Sequence, residues 1–133
     1  MFKHEIAYVD FNGQERKEAF YFHLSLPEVT RLEVEIGKPI GDHAQELADN
    51  QDMKLLLPFL EKVILSAYGK KTSDGKSFYK SKDIRDEFEY SQAYAEMFEQ
   101  LLTNPDLARK FGEGVADNGK AKKNTVEPSV INN

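Results

Sequence analysis

The chain has no cysteine and no tryptophan among its 133 residues. Without cysteine there is no disulfide framework, no thiolate metal site and no catalytic thiol. Basic charge is also scarce: 18 Lys and Arg stand against 23 Asp and Glu, a net charge of −5. A dedicated nucleic-acid binder draws its affinity from neutralising phosphates, so no nucleic-acid partner is expected. Long apolar runs are missing too. The longest, MKLLLPFLEKVILSAY, is broken by Lys54, Glu61 and Lys62 and is too short to span a bilayer. The opening MFKHEIAYVD carries Lys3 and Glu5 and lacks the apolar segment of a signal peptide. The expectation is a soluble intracellular protein with no membrane partner.

What remains is an ordinary globular balance, 40% apolar and 31% charged, in a length suited to one domain. Phe2, His4, Ile6 and Tyr8 alternate with polar or small residues, and Phe20, Phe22 and Leu24 repeat that period of two. Asn12-Gly13 between them supplies a turn. A two-residue loop would place Phe20 and Phe22 on the face opposite Ile6 and Tyr8. A three-residue loop, Phe11-Asn12-Gly13 with Gly13 left-handed, gathers both sets on one face, and this is the register expected.

The rest reads as helical. Ser25-Leu-Pro-Glu28 is a capping box opening a helix to about Ile36, stopped by Gly37. A second helix is expected over Asp42 to Asn50. Leu56, Phe59, Leu60, Val63, Ile64 and Ala67 then form the widest apolar stripe, which Leu55, Leu57 and Leu65 extend, with Gly69 placed to end the helix. Pro58 within it leaves two alternatives: the helix starts only a turn earlier, or it kinks. Ser81 caps a further helix. The stripe Tyr90, Tyr94, Met97, Phe98 and Leu101 follows as part of it or as a second helix beyond Ser91, and core packing is the favoured role of its aromatics. Asn104-Pro105 starts another, leading to Phe111. From Gly112 the pattern is lost. The fold class is therefore α+β: an N-terminal antiparallel β-hairpin (2–24) and a mainly α-helical body of four to six helices (25–111). These form one domain, 1–111, with a flexible tail over 112–133.

AYGKKTSDGKSFYKS suggests a phosphate-binding loop, but five residues separate Gly69 from Gly75 where the motif needs four, and a helix precedes where a strand should. The reading is a connector with an Asp74-Gly75 turn. Its lysines, Lys70, Lys71, Lys76, Lys80 and Lys82, are followed by Asp83, Asp86, Glu87 and Glu89, which screen them. His4, His23 and His43 are isolated from one another, and His4 on the hairpin's apolar face reads as structural. No carboxylate pair or nucleophile motif is marked out. No catalytic, cofactor-binding or metal-binding residue is assigned, and an enzyme is not expected.

Taken together, YVDFNGQERKEAFYFHLSLPEV, LEKVILSAYG, KKTSDGKSFYKSKDI and FEYSQAYAEMFEQLL resemble the tail assembly chaperones of long-tailed bacteriophages, especially those of Gram-positive hosts. The resemblance runs in consistent order over about residues 6–111. It implies a non-catalytic assembly factor in the host bacterial cytoplasm, absent from the mature virion. Such a factor binds the tape-measure protein, with tail-tube subunits as further candidate partners, and keeps it soluble during tail assembly. Self-association is compatible with that role. The resemblance also implies a longer form made by ribosomal frameshifting, for which codons around Ala121-Lys-Lys-Asn124 are the place to look. The helices around 84–111 are the candidate docking surface, with Phe98, Leu101, Leu102 and Phe111 as partner-binding residues and plain core as their alternative. The competing class is a structural virion protein of the phage neck or tail.

Overall fold

The computed structural model describes residues 1–116. Strands β1 (Phe2–Val9) and β2 (Glu15–Phe22) form the hairpin, pairing Phe2 with Phe22 and Val9 with Glu15. Asp10 and Gln14 close a three-residue loop through a 2.9 Å backbone bond, and Gly13 is left-handed at φ 80°. The register is the one the apolar pattern requires. Phe2, His4 and Ile6 share the inner face with Phe20 and Phe22, and the outer face is charged.

Helix α1 (Leu26–Ile36) opens on the capping box. Ser25 accepts from the Glu28 amide, the Glu28 carboxylate accepts from the Ser25 amide, and Gly37 ends the helix left-handed. Helix α2 (Ile40–Asp49) begins two residues before the expected Asp42, directly after Pro39. Helix α3 (Met53–Ala67) carries Pro58 inside it. Starting at Met53 puts the proline just past the first turn, so the helix forgoes the hydrogen bond that the Lys54 carbonyl would have received. All six stripe residues of α3 are buried, whereas Leu55 faces solvent. Leu55 precedes the stripe by one position, a rotation of about 100° on a 3.6-residue helix.

The segment after α3 departs from the sequence reading. Gly69 does not end the helix: the backbone turns extended at Tyr68, and Gly69 lies within β3 (Tyr68–Lys71), which pairs with β4 (Phe78–Tyr79). The connector is a second, shorter hairpin, and β3 joins β2, giving a four-stranded sheet in the order β1-β2-β3-β4. Gly69 is needed for close approach, since a Cβ there would meet the Phe78 ring at 2.5 Å and the Tyr79 carbonyl at 2.7 Å.

Helices α4 (Lys82–Glu89) and α5 (Gln92–Thr103) are separate, divided at Tyr90-Ser91. Ser91 accepts from the Tyr94 amide and donates to the Phe88 carbonyl at 2.7 Å. Tyr90, at the break, is 72% exposed rather than core. Helix α6 (Pro105–Ala116) runs five residues past Phe111, so the tail cannot begin at Gly112. Val115 is fully buried, and its carbonyl accepts from the Leu24 amide at 2.9 Å. The sequence pattern failed there because glycines at 112 and 114 hide an apolar period of four, Phe111 to Val115. The remainder of the expected tail, 117–133, lies outside the described residues.

The core sits between the inner face of the sheet and the helices. At its centre Phe22 meets Phe88, Phe111 and Tyr68 with ring centroids 5.5–5.8 Å apart, spacing suited to edge-to-face and tilted aromatic pairs.

Candidate partner-binding surface

Each helix of the 84–111 region is fixed by its own cap. Ser81 accepts from the Ile84 amide at 3.1 Å to start α4, Ser91 starts α5, and Asn104 accepts from the Leu107 amide at 3.1 Å to start α6. The α5–α6 corner at Asn104-Pro105 brings Leu101 and Leu102 of α5 to the same space as Pro105 and Ala108 of α6. The four candidate residues divide. Phe111 is 2% exposed, wedged edge-on between Phe2 and Phe22, and Leu101 is 3% exposed. Both belong to the core cluster, whereas Phe98 and Leu102 are partly buried at its margin. Leu101 and Leu102 come together in a cleft, while Phe98 lies against Tyr94 with centroids 6.1 Å apart.

That cleft holds about 40 Å³ of space between four helices. Gly41, Ala44 and Ala48 of α2 form one wall, Leu56 and Leu60 of α3 the floor, and Pro105 and Ala108 of α6 the other wall. Its rim carries Gln45 and Arg109, and Arg109 is already engaged by Asp106 at 3.3 Å and Glu113 at 3.6 Å. The lining is apolar and its charges are internally paired, so the chemistry available is burial of an apolar side chain, not acid–base work. Sequence reasoning missed the α2 wall. The signal was there in Gly41, Ala44 and Ala48, small residues three and four apart on one helix face, but small residues carry little hydrophobic weight.

α2 and α6 approach closely along this wall. A Cβ on Gly112 would stand 2.9 Å from the Gly41 Cα and 3.2 Å from its nitrogen. Across α5, His4 Nε2 bonds Gln100 Oε1 at 2.7 Å and ties the helix to β1, the structural role expected of His4. The Tyr94 hydroxyl is buried without a hydrogen-bond partner among the described residues. Burial, then Glu61 and Glu89, push its pKa up to about 12.

The loop between β3 and β4 does not offer a phosphate cradle. Its amides are spent on the turn: Gly75 N–H donates to the Thr72 carbonyl, Lys76 N–H to Asp74 and Ser77 N–H to the Thr72 hydroxyl. The Lys76 amide and the Thr72 hydroxyl hold the Asp74 carboxyl below its ordinary range. Lys70, Lys80 and Lys82 pair with Glu87, Glu28 and Asp86 at 2.9, 2.9 and 2.6 Å, and Lys71 lies over the Tyr21 ring. The screening read from the sequence is thus largely specific pairing. Among the described residues no group of His, Asp and Glu is arranged to hold a metal ion, and no helix is long and apolar enough to cross a membrane.

No curated protein and no solved structure is similar enough to the chain to count as a match. The sequence pattern of a family described as phage tail assembly chaperone, however, matches residues 1–123. That span takes in the hairpin, all six described helices and the cleft between them, and the chain belongs to the phage tail assembly chaperone family.

Proposed function

We infer that the protein binds the tape-measure protein of its phage and keeps it soluble while the tail is built, without catalysing a reaction. The family match over 1–123 carries this reading. The apolar flank that Phe98 and Leu102 leave partly open at the core margin supports it, since a long helical chain with unpaired apolar stripes is an aggregation hazard that apolar helix contacts relieve. Leu102 and Phe98 are the side chains a docked helix reaches without unfolding the domain, whereas Leu101 and Phe111 support the surface from beneath. Weak contacts repeated along one long chain give a hold that is firm in sum and reversible locally. On this reading the protein acts in the host cytoplasm and is left out of the finished particle.

Co-expression with the phage's tape-measure protein tests it. The expected result is a soluble complex that co-purifies, and loss of co-purification with Leu102→Asp while the domain keeps its melting temperature. A tape-measure protein that stays insoluble beside abundant folded partner overturns the reading. Structural copy number in purified virions would favour the neck or tail component instead.

A further inference from the structure

The sheet ends on one long strand, β1, which pairs with β2 alone among the described strands; α5 packs against β1, but no other described strand takes its outer edge. The Asp10–Gln14 backbone bond makes that pair a hydrogen-bonded one, and such pairs alternate along an antiparallel ladder. The even residues of β1 therefore turn their backbone groups to β2, while Lys3, Glu5, Ala7 and Val9 turn theirs outward. These four are also exposed. At the other edge β4 is only two residues long. β1 has neither the proline nor the bulge by which natural edges are blunted.

We propose that this edge is a self-complementary interface, on which β1 of a second copy pairs antiparallel about a two-fold axis through His4. The charge pattern selects the partner and the register. With His4 on the axis, Lys3 of each copy stands opposite Glu5 of the other, and both pairs fall at hydrogen-bonded positions. Moving the axis to Glu5 sets two carboxylates against each other. Moving it to Ile6 brings the two Glu5 side chains onto a diagonal and leaves Lys3 opposite Val9. Glu5 is available for the new pair, because its contact with Lys17 is 3.8 Å long and exposed on both sides. Beneath the axis lies the His4–Gln100 bond, while Glu96 of α5 sits toward Tyr8 and Val9 at the far end of the strand. A guarding edge would carry like charges that repel its own copy; this one carries alternating charges that match it.

Sedimentation equilibrium on the full chain, from low-micromolar to near-millimolar concentration, reads the dimer. Lys3→Glu makes positions 3 and 5 both acidic, and Glu5→Lys makes both basic. Each is expected to weaken self-association about ten-fold or more, because two attractive cross-strand pairs become repulsive. An equimolar mixture of the two variants restores opposite charges at both pairs and is expected to dimerise as the native chain does, as is the doubly exchanged K3E/E5K chain. Circular dichroism confirms that each variant is folded. The K3E/E5K chain keeps the test alive if one single variant fails to fold. A chain that stays monomeric throughout overturns the proposal. So does a dimer indifferent to both exchanges, which would lie on another face, and so does a mixture that fails to recover.

Discussion

Gly112 and Gly41 touch, yet only one of them has to be glycine. A Cβ on Gly112 would enter at 2.9 Å from the Gly41 Cα and 3.2 Å from its nitrogen, both backbone atoms of α2. No rotamer change relieves that contact, so α2 and α6 must move apart or the turn must distort. Overpacking of this kind costs roughly 1–3 kcal/mol, and a backbone obstacle places it toward the upper end. Alanine returns about 1 kcal/mol of helix propensity, leaving Gly112→Ala about 1–2 kcal/mol less stable. A Cβ on Gly41 points elsewhere, meeting nothing nearer than the Arg109 carbonyl at 3.9 Å, an ordinary contact. Gly41→Ala therefore keeps the propensity gain and is expected to be as stable as the native chain or up to about 1 kcal/mol more so. Urea melts followed at a helical circular-dichroism band decide the matter. In thermal melts of a 133-residue chain, each kcal/mol should shift Tm by roughly 3–5 °C. Equal behaviour of the two variants, or a Gly112→Ala chain at or above native stability, would refute the reasoning.

Two further predictions concern a buried hydroxyl and a partly buried carboxylate. Tyr94→Phe removes a hydroxyl that is buried without a partner among the described residues, so the variant is expected to melt at or above the native temperature. A loss larger than about 1 kcal/mol would mean that the hydroxyl makes a bond worth having. Glu28 answers to pH. Burial alone would raise its pKa, but the Ser25 amide and Lys80 together bring it below 4.5. A carboxyl lowered on folding stabilises above its unfolded pKa, and the contribution fades as pH falls from about 4.5 through the folded value. Glu28→Gln keeps an acceptor for the Ser25 amide and loses the ion pair. It should cost up to about 1 kcal/mol near neutrality, a modest figure because both partners are partly exposed, and the difference should vanish in titrations taken below the folded pKa. A cost that persists unchanged in acid would show that the loss is of packing rather than charge.

Legibility of this fold from sequence follows the range of the forces involved. The hairpin register was readable because side chains alternate strictly along a strand, so only one loop length puts Ile6 and Phe20 on the same face. Ser25, Ser81 and Asn104 were readable because capping is settled within three residues, whereas the sequence left open whether one helix runs through Ser91 or two meet there. What stayed hidden depends on partners distant in the chain. Gly69 looks like a helix stop from its neighbours, and only the Phe78 ring, which packs onto it, makes it a strand residue. Gly112 and Gly114 look like the start of a tail, and only α2 and Phe2, pressed against them, show that α6 continues. The candidate surface divides along the same line. A helical stripe states that Phe98, Leu101, Leu102 and Phe111 are apolar on one side, but it cannot say how many helices that side meets. Phe111 is covered from β1 and β2, and Leu101 is buried within the core, whereas Leu102 keeps one flank open to the cleft. A docking surface is the part of an apolar stripe that the rest of the fold leaves uncovered. It is therefore set by the chain's long-range contacts, and the small residues of α2, silent in any hydrophobic count, do as much to shape it as the leucines do.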